Sequence, residues 1–170
     1  KTKIGDSIFV FQNLGFSKIG YLNLYENMKL PKSIKIKSQK QFLEPRYYNY
    51  SDIFKKIKIN SCMDISDSLF DSMQTLSSNS KKKFIIDNLF DVNPSLMKLF
   101  QDNKEKYLKL ILGSGEEYSP IFTMNKNNLT NRIRNLLKLR GIQICKIGYV
   151  DSGRGVYFNN KQLKRPPLFN

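Results

Sequence analysis

Two carboxylates and a hydroxyl fall within four residues in the stretch Met63-Asp64-Ile65-Ser66-Asp67-Ser68-Leu69. An apolar, strand-like run (Ile57, Ile59, Met63) leads in, and a helical pattern (Leu69, Phe70, Met73, Leu76) follows. Acidic side chains crowded at a strand-to-helix corner are costly unless a cation neutralises them. On a strand ending at Ile65, Asp64 and Ser66 point to one side, and Asp67 enters the first helical turn. Such a corner offers helix N–H groups to a phosphate and oxygen ligands to a hard cation such as Mg²⁺. The same letters also fit helix capping, with Ser66 as N-cap and Asp67 favoured by the helix dipole. Capping leaves Asp64 unexplained, because a carboxylate among apolar neighbours needs a partner.

Three further constellations stand out. Gly113-Ser114-Gly115-Glu116-Glu117-Tyr118 has two glycines that permit close backbone approach and two adjacent acids. Entering a strand, Glu116 and Glu117 face opposite ways, so one of them can point into a cleft; a glycine C-cap followed by a solvated acidic turn fits equally. Gly5-Asp6 and Asn13-Leu14-Gly15-Phe16-Ser17 read as two turns. Arg165-Pro166-Pro167-Leu168-Phe169-Asn170 is an extended end, either a loose tail or a flap over a ligand.

Composition narrows the chemistry. There is no histidine, which removes the commonest general base and transition-metal ligand. Cys62 and Cys145 stand far apart without a CxxC, so a disulfide framework or zinc site is not expected and a reducing cytoplasm is. No apolar run approaches bilayer length and no signal-peptide pattern opens the chain, so no membrane role is expected. At 170 residues and 40% hydrophobic content the chain fits one folded domain. It begins at Lys1 with a strand close behind, and so reads as a piece of a longer protein. The net charge of +15 raises an anionic or nucleic-acid partner. The lysines, however, are scattered among Asn and Ile, as in a compositional bias; the densest groups are Lys35, Lys37, Lys40 and Lys81-Lys82-Lys83.

The elements that must position these residues follow from pattern. Ser7 to Phe11 reads as a strand, and Ser17 as the cap of a helix running to about Glu26. Lys29 to Ser38 reads as a loop, with short helices over Lys40 to Leu43 and Ser51 to Lys56 on either side of Tyr47, Tyr48 and Tyr50. Ile57 to Met63 follows as strand, Ser66 to about Leu76 as helix, Ser77 to Lys83 as polar loop and Phe84 to Ile86 as strand. Helices are expected from Asn93-Pro94, over Lys104 to Leu112, and over Leu129 to Arg140. Tyr118 to Met124 is a strand; Ile142 to Val150 is another, with Val156 to Phe158 as its hairpin partner. Strands interleaved with helices argue for a mixed domain with helices covering a sheet.

These pieces occur in an order that resembles the C-terminal domain of thiamine-monophosphate kinase. Its superfamily also holds aminoimidazole ribonucleotide synthetase and the hydrogenase-maturation dehydratase. Gly5-Asp6 through Ser17 is similar to the family's Gly-Asp, strand, Gly-x-Leu-Gly-x-Ser. Leu43-Glu44-Pro45-Arg46 loosely echoes Pro-x-Pro-Arg. Asp64 to Leu69 is similar to Asp-Ile-Ser-Asp-Gly-Leu, and Ser114 to Thr123 to Gly-Gly-Glu-Asp-Tyr-Glu-Leu-Leu-Phe-Thr. Ile147-Gly148, Gly153 to Val156 and Pro166 to Asn170 are similar to the family's ending. The chain departs from the pattern at Ser68 (glycine in the family), at Ser119-Pro120 (Glu-Leu) and at Phe169-Asn170 (Trp or Tyr, then Asp).

The resemblance implies an α+β fold, a three-layer α/β/α sandwich with a mixed sheet, like the PurM C-terminal domain. It also implies an ATP- and Mg²⁺-dependent kinase that converts thiamine monophosphate to thiamine diphosphate by direct in-line transfer, a step of thiamine biosynthesis. By position Asp64 and Asp67 would be Mg²⁺ ligands, Ser66 would contact the ATP phosphates, Glu116 would hold the thiamine part, and Phe169 would stack on the substrate; no catalytic base is implied. Positioning and charge neutralisation dominate phosphoryl transfer, so the lack of histidine is no obstacle. Residues 1–170 would be one domain, inactive without an N-terminal ATP-binding domain, cytoplasmic, and homodimeric at full length. Two alternatives remain: a superfamily member acting on another small phosphate-containing substrate, and a basic nucleic-acid-binding module. An acidic pair beside Glu116 favours the kinase; a continuous face of the lysine groups favours the binding module.

Overall fold

The structure, a computed structural model, describes residues 1–11, 13–45, 49–101 and 103–165. Arg46, Tyr47, Tyr48 and the end Pro166 to Asn170, with Phe169, lie outside the described residues. In chain order the elements are β1 (Ser7–Phe11), α1 (Phe16–Tyr25), α2 (Lys32–Leu43), α3 (Ser51–Phe54), β2 (Ser61–Asp64), α4 (Leu69–Ser80) and β3 (Lys82–Ile86). They continue with α5 (Pro94–Leu99), α6 (Lys104–Leu112), β4 (Pro120–Met124), a 3₁₀ turn (Lys126–Asn128), α7 (Asn131–Leu139), β5 (Ile144–Ser152), β6 (Gly155–Phe158) and β7 (Lys161–Gln162). The strands form one sheet in the order β2-β4-β1-β5-β3-β6-β7, in which β3 and β6 are the parallel pair.

Alternation along β1 builds two cores. Ile8 and Val10 of β1 face a cluster with Leu69, Met73, Ile111 and Phe84 that gathers α1, α4, α5 and α6. Phe9 and Phe11 face the other way, onto Ile53, Ile57, Phe122 and Leu137, under α3 and α7. A mixed sheet with helices on both faces is the three-layer α+β arrangement expected from the sequence. Each of these buried side chains contributes about 1.5–3 kcal/mol relative to exposure. No helix among the described residues is long and apolar enough to cross a membrane.

Four local expectations give way to tertiary contacts. The Lys29 to Ser38 stretch is largely helix: α2 starts after Pro31 and docks on α1. The docking is tight at Gly20, where a Cβ would lie 2.3 Å from the Ser38 carbonyl oxygen, and Phe42 packs on Tyr21 and Tyr25. The loop expected from Ser77 begins only after Ser80. The buried Ser77 hydroxyl accepts from the Gly155 amide (2.8 Å) and donates to the Lys82 carbonyl (2.6 Å), so α4 continues to Ser80 and Lys81 ends it with φ 55°. Strand pairing starts at Ser61 rather than Ile57, whose side chain joins the second core. Finally, β5 and β6 are not a hairpin. β3 lies between them, antiparallel to β5 and parallel to β6, and Ser152 to Gly155 carries the chain across its end.

Candidate functional site

The two acidic constellations are brought together. β2 ends at Asp64, and the loop 65–68 runs beside the segment 114–119 that precedes β4. Backbone bonds join them along their length: Ile65 N–H to the Ser119 carbonyl (2.9 Å), Tyr118 N–H to the Ile65 carbonyl (3.1 Å), Glu116 N–H to the Ser66 carbonyl (2.6 Å) and Leu69 N–H to the Ser114 carbonyl (3.1 Å). Gly115 permits this approach, since a Cβ there would fall 2.0 Å from the Asp67 carbonyl oxygen. Glu116 and Tyr118 both take left-handed backbone conformations, with φ 54° and 48°, and the Tyr118 hydroxyl donates to the Glu116 carboxylate. Left-handed non-glycine residues cost on the order of 1–3 kcal/mol and persist where their surroundings over-determine them.

Asp64, Asp67 and Glu116 are exposed and Ser66 is half-buried. Neither Asp64 nor Asp67 has a side-chain hydrogen-bond or ion-pair partner among the described residues, in a chain with 29 Lys and Arg. Exposed carboxylates without a hydrogen-bond or ion-pair partner, in so basic a protein, suit a cation supplied from outside. No group of three or more Cys, Asp or Glu able to hold a metal occurs among the described residues. A pair of carboxylates is the donor set from which Mg²⁺ binds while keeping waters and phosphate oxygens, so the residues present fit that ion.

Capping is done by Ser68, not Ser66. Ser68 is the N-cap of α4: its hydroxyl accepts from the Asp71 amide (3.0 Å) and donates to the Asp71 carboxylate (2.6 Å). Asp67 therefore lies in the loop before the helix. Asp71 in turn pairs with Arg165 (2.9 Å), which moors the C-terminal stretch beside the start of α4. Ser17, expected to cap α1, lies inside that helix with its buried hydroxyl unpartnered among the described residues; Gly15 occupies the cap position with φ 97°.

Of the adjacent acids, Glu117 is the one the fold encloses. Its Oε1 accepts from the Gly15 amide (2.7 Å) and from the Ser114 hydroxyl (2.5 Å). Burial pushes its carboxyl up to about 7, against hydrogen bonds from Ser114, Gly15 and Ser17 that pull the other way. The signal in the sequence was the Ser114-x-x-Glu117 spacing, masked by the identical neighbour Glu116. Glu117 and Ser119 also wall a cavity of about 380 Å³ with Phe11, Tyr50, Lys40 and Arg140 at the end of β1.

The lysine groups do not form one face. Lys37 and Lys40 line that cavity beside Ile142 and Gln143, just before β5. Lys82 and Lys83 pair with Ser152 and Asp151 at the far end of β5, about 27 Å away by strand rise.

Comparison with known proteins adds a family context. No family model matches the chain. Thiamine-monophosphate kinase of Nitrosopumilus maritimus is 30% identical over 160 residues, covering 93% of this chain and 50% of that protein. The enzyme of the same name from Buchnera aphidicola subsp. Schizaphis graminum is 32% identical over 168 residues, covering 95% and 50%. Among solved structures, the fold is shared with thiamine-monophosphate kinase from Stenotrophomonas maltophilia (TM-score 0.79, 18% identity, 96% of this chain and 52% of that one). It is shared also with AaThiL complexed with AMPPCP and TMP (0.74, 24%, 98% and 51%) and with E. coli HypE, a hydrogenase maturation protein (0.66, 15%, 98% and 51%). The chain is thus related over nearly its whole length to proteins named thiamine-monophosphate kinase, and it spans about half the length of those relatives.

Proposed function

We propose that this chain is the C-terminal domain of an ATP- and Mg²⁺-dependent kinase that phosphorylates thiamine monophosphate to thiamine diphosphate. It works with an N-terminal domain that holds the nucleotide, as a cytoplasmic homodimer. The observation that carries this reading is the seam between residues 65–69 and 114–119, which joins the loop bearing Asp67 to the segment bearing Glu116 through the backbone. The names of the relatives, and the ligands of AaThiL, supply the substrate class.

In this reading Asp64 and Asp67 hold Mg²⁺ and Ser66 donates its hydroxyl to the phosphates of ATP. Bound there, the metal neutralises phosphate charge, which is most of what phosphoryl transfer requires. Glu116 faces the cationic thiazolium of the substrate. Phe169 follows four residues after Arg165, which Asp71 anchors at the start of α4, and stacks on the substrate. The chain's own residues bind and orient; none acts as a proton shuttle.

A coupled assay of the full-length protein with ATP, Mg²⁺ and thiamine monophosphate tests the proposal. Mg²⁺-dependent formation of thiamine diphosphate is the expected result. No product at substrate concentrations up to the millimolar range overturns it.

A further inference from the structure

Glu117 is a buried acid to which the proposed reaction gives no role, yet three segments of the site converge on it. Its Oε1 bonds the Gly15 amide at the start of α1 and the Ser114 hydroxyl just after α6. The Ser114 carbonyl takes the Leu69 amide, and the residues on either side of Glu117 are the two held left-handed against the 65–66 backbone. Lys18 of α1 adds a bond from its ammonium to the Gly113 carbonyl (3.2 Å), so the same loop is fastened to α1 twice.

We propose that Glu117 is the positioning residue of this site: its buried acceptor oxygen locks the 114–118 loop to α1, and the locked loop sets the geometry of Asp64, Ser66, Asp67 and Glu116. The proposal rests on the kinase reading for what the site does, and on hydrogen bonds alone for how it is held. Two of its bonds, from the Gly15 amide and the Ser114 hydroxyl, fall on one oxygen, and the Ser17 backbone adds a third to a carboxyl whose burial disfavours ionisation, so the geometry uses its acceptor capacity rather than its negative charge.

The test compares Glu117→Gln, which keeps an acceptor oxygen, with Glu117→Leu, which keeps volume and leaves the Gly15 and Ser17 amides and the Ser114 hydroxyl unpaired. Two readouts are taken on the full-length protein. Amide hydrogen exchange at residues 65–69 and 114–118 is expected to accelerate about tenfold or more in the Leu variant and to stay near wild type in the Gln variant. The Mg²⁺ concentration for half-maximal turnover is expected to rise about tenfold in the Leu variant and not in the Gln variant. Leu137→Ala, a core truncation under the opposite sheet face, serves as the control for general destabilisation and leaves both readouts unchanged. Unchanged exchange in the Leu variant overturns the proposal, as does a Gln variant that behaves like Leu, because charge would then be the requirement. Should the Leu variant fail to fold, Ser114→Ala removes one of the three bonds and carries the same comparison. If the wild type lacks kinase activity, the kinase reading fails while hydrogen exchange still decides the positioning role.

Discussion

Ser68 and Asp71 are bonded to each other twice, amide to hydroxyl and hydroxyl to carboxylate, across the first turn of α4. Ser68 thus turns its side chain into its own helix and not toward a phosphate. Its backbone is extended, with φ −165° and ψ 163°, a conformation open to any residue. Ser68→Ala is expected to destabilise the domain by about 1 kcal/mol, and Ser68→Gly by a smaller amount. Urea denaturation of Ser68→Ala, Asp71→Ala and the double variant checks this. The two losses are expected to be non-additive, and strict additivity would show that the pair is not a unit.

Gly115 is the tightest point of the seam. Gly115→Ala places a methyl 2.0 Å from the Asp67 carbonyl oxygen and 2.7 Å from that of Ser66, both backbone atoms that cannot swing aside. The expected cost is about 3 kcal/mol, with loss of turnover at temperatures where the variant remains folded. Wild-type stability and rate in this variant would mean that the two loops are not in contact.

Asp64→Ala and Asp67→Ala are expected to abolish Mg²⁺-dependent turnover in the full-length protein while changing stability by less than about 0.5 kcal/mol. Both side chains are exposed and make no hydrogen bond or ion pair among the described residues. Near-normal activity in either variant counts directly against a metal-holding role.

Glu117 gives the fold a pH dependence whose sign is fixed. Burial pushes its carboxyl up to about 7 in the folded chain, from an ordinary 4.5. The unfolded chain therefore loses this proton first as pH rises. Stability from this group is fully present below about 4.5, falls between there and about 7, and is level above. Glu117→Gln removes the fall. Its stability is expected to match wild type at pH 4 and to exceed it at pH 8, by up to the order of 3 kcal/mol. Denaturation series at the two pH values measure the gap, and a Gln variant less stable than wild type at pH 8 would contradict the assignment.

Much of this architecture was legible because periodicity and caps agree. Asn93 caps α5, Gly113 ends α6, and the apolar runs at Ser7–Phe11 and Pro120–Met124 are central strands. What was not legible depends on distant partners. The serines of α4 look like loop formers until Ser77 finds Gly155. Most of α2 is exposed and polar, and Gly20 and Phe42 hold it against α1. Val156 to Phe158 has the spacing of a hairpin arm, but nothing local reveals that Phe84 to Ile86 slips between the arms. At the site, the acids at 64, 67 and 116 announce themselves by type. Which of Glu116 and Glu117 is buried was decided by the approach of Gly15, about a hundred residues earlier in the chain.

The strand order has a consequence for how the protein is made. None of the first three strands pairs with another of them: β1 waits for β4 and β5, β2 for β4, and β3 for β5 and β6. A chain leaving the ribosome therefore carries three unpaired segments, among them Ile8 to Phe11 and Phe84 to Ile86, until residues from Pro120 onward emerge. Sheet assembly is then a late event driven by long-range closure, the regime in which folding is slow and half-made chains are prone to stick to one another.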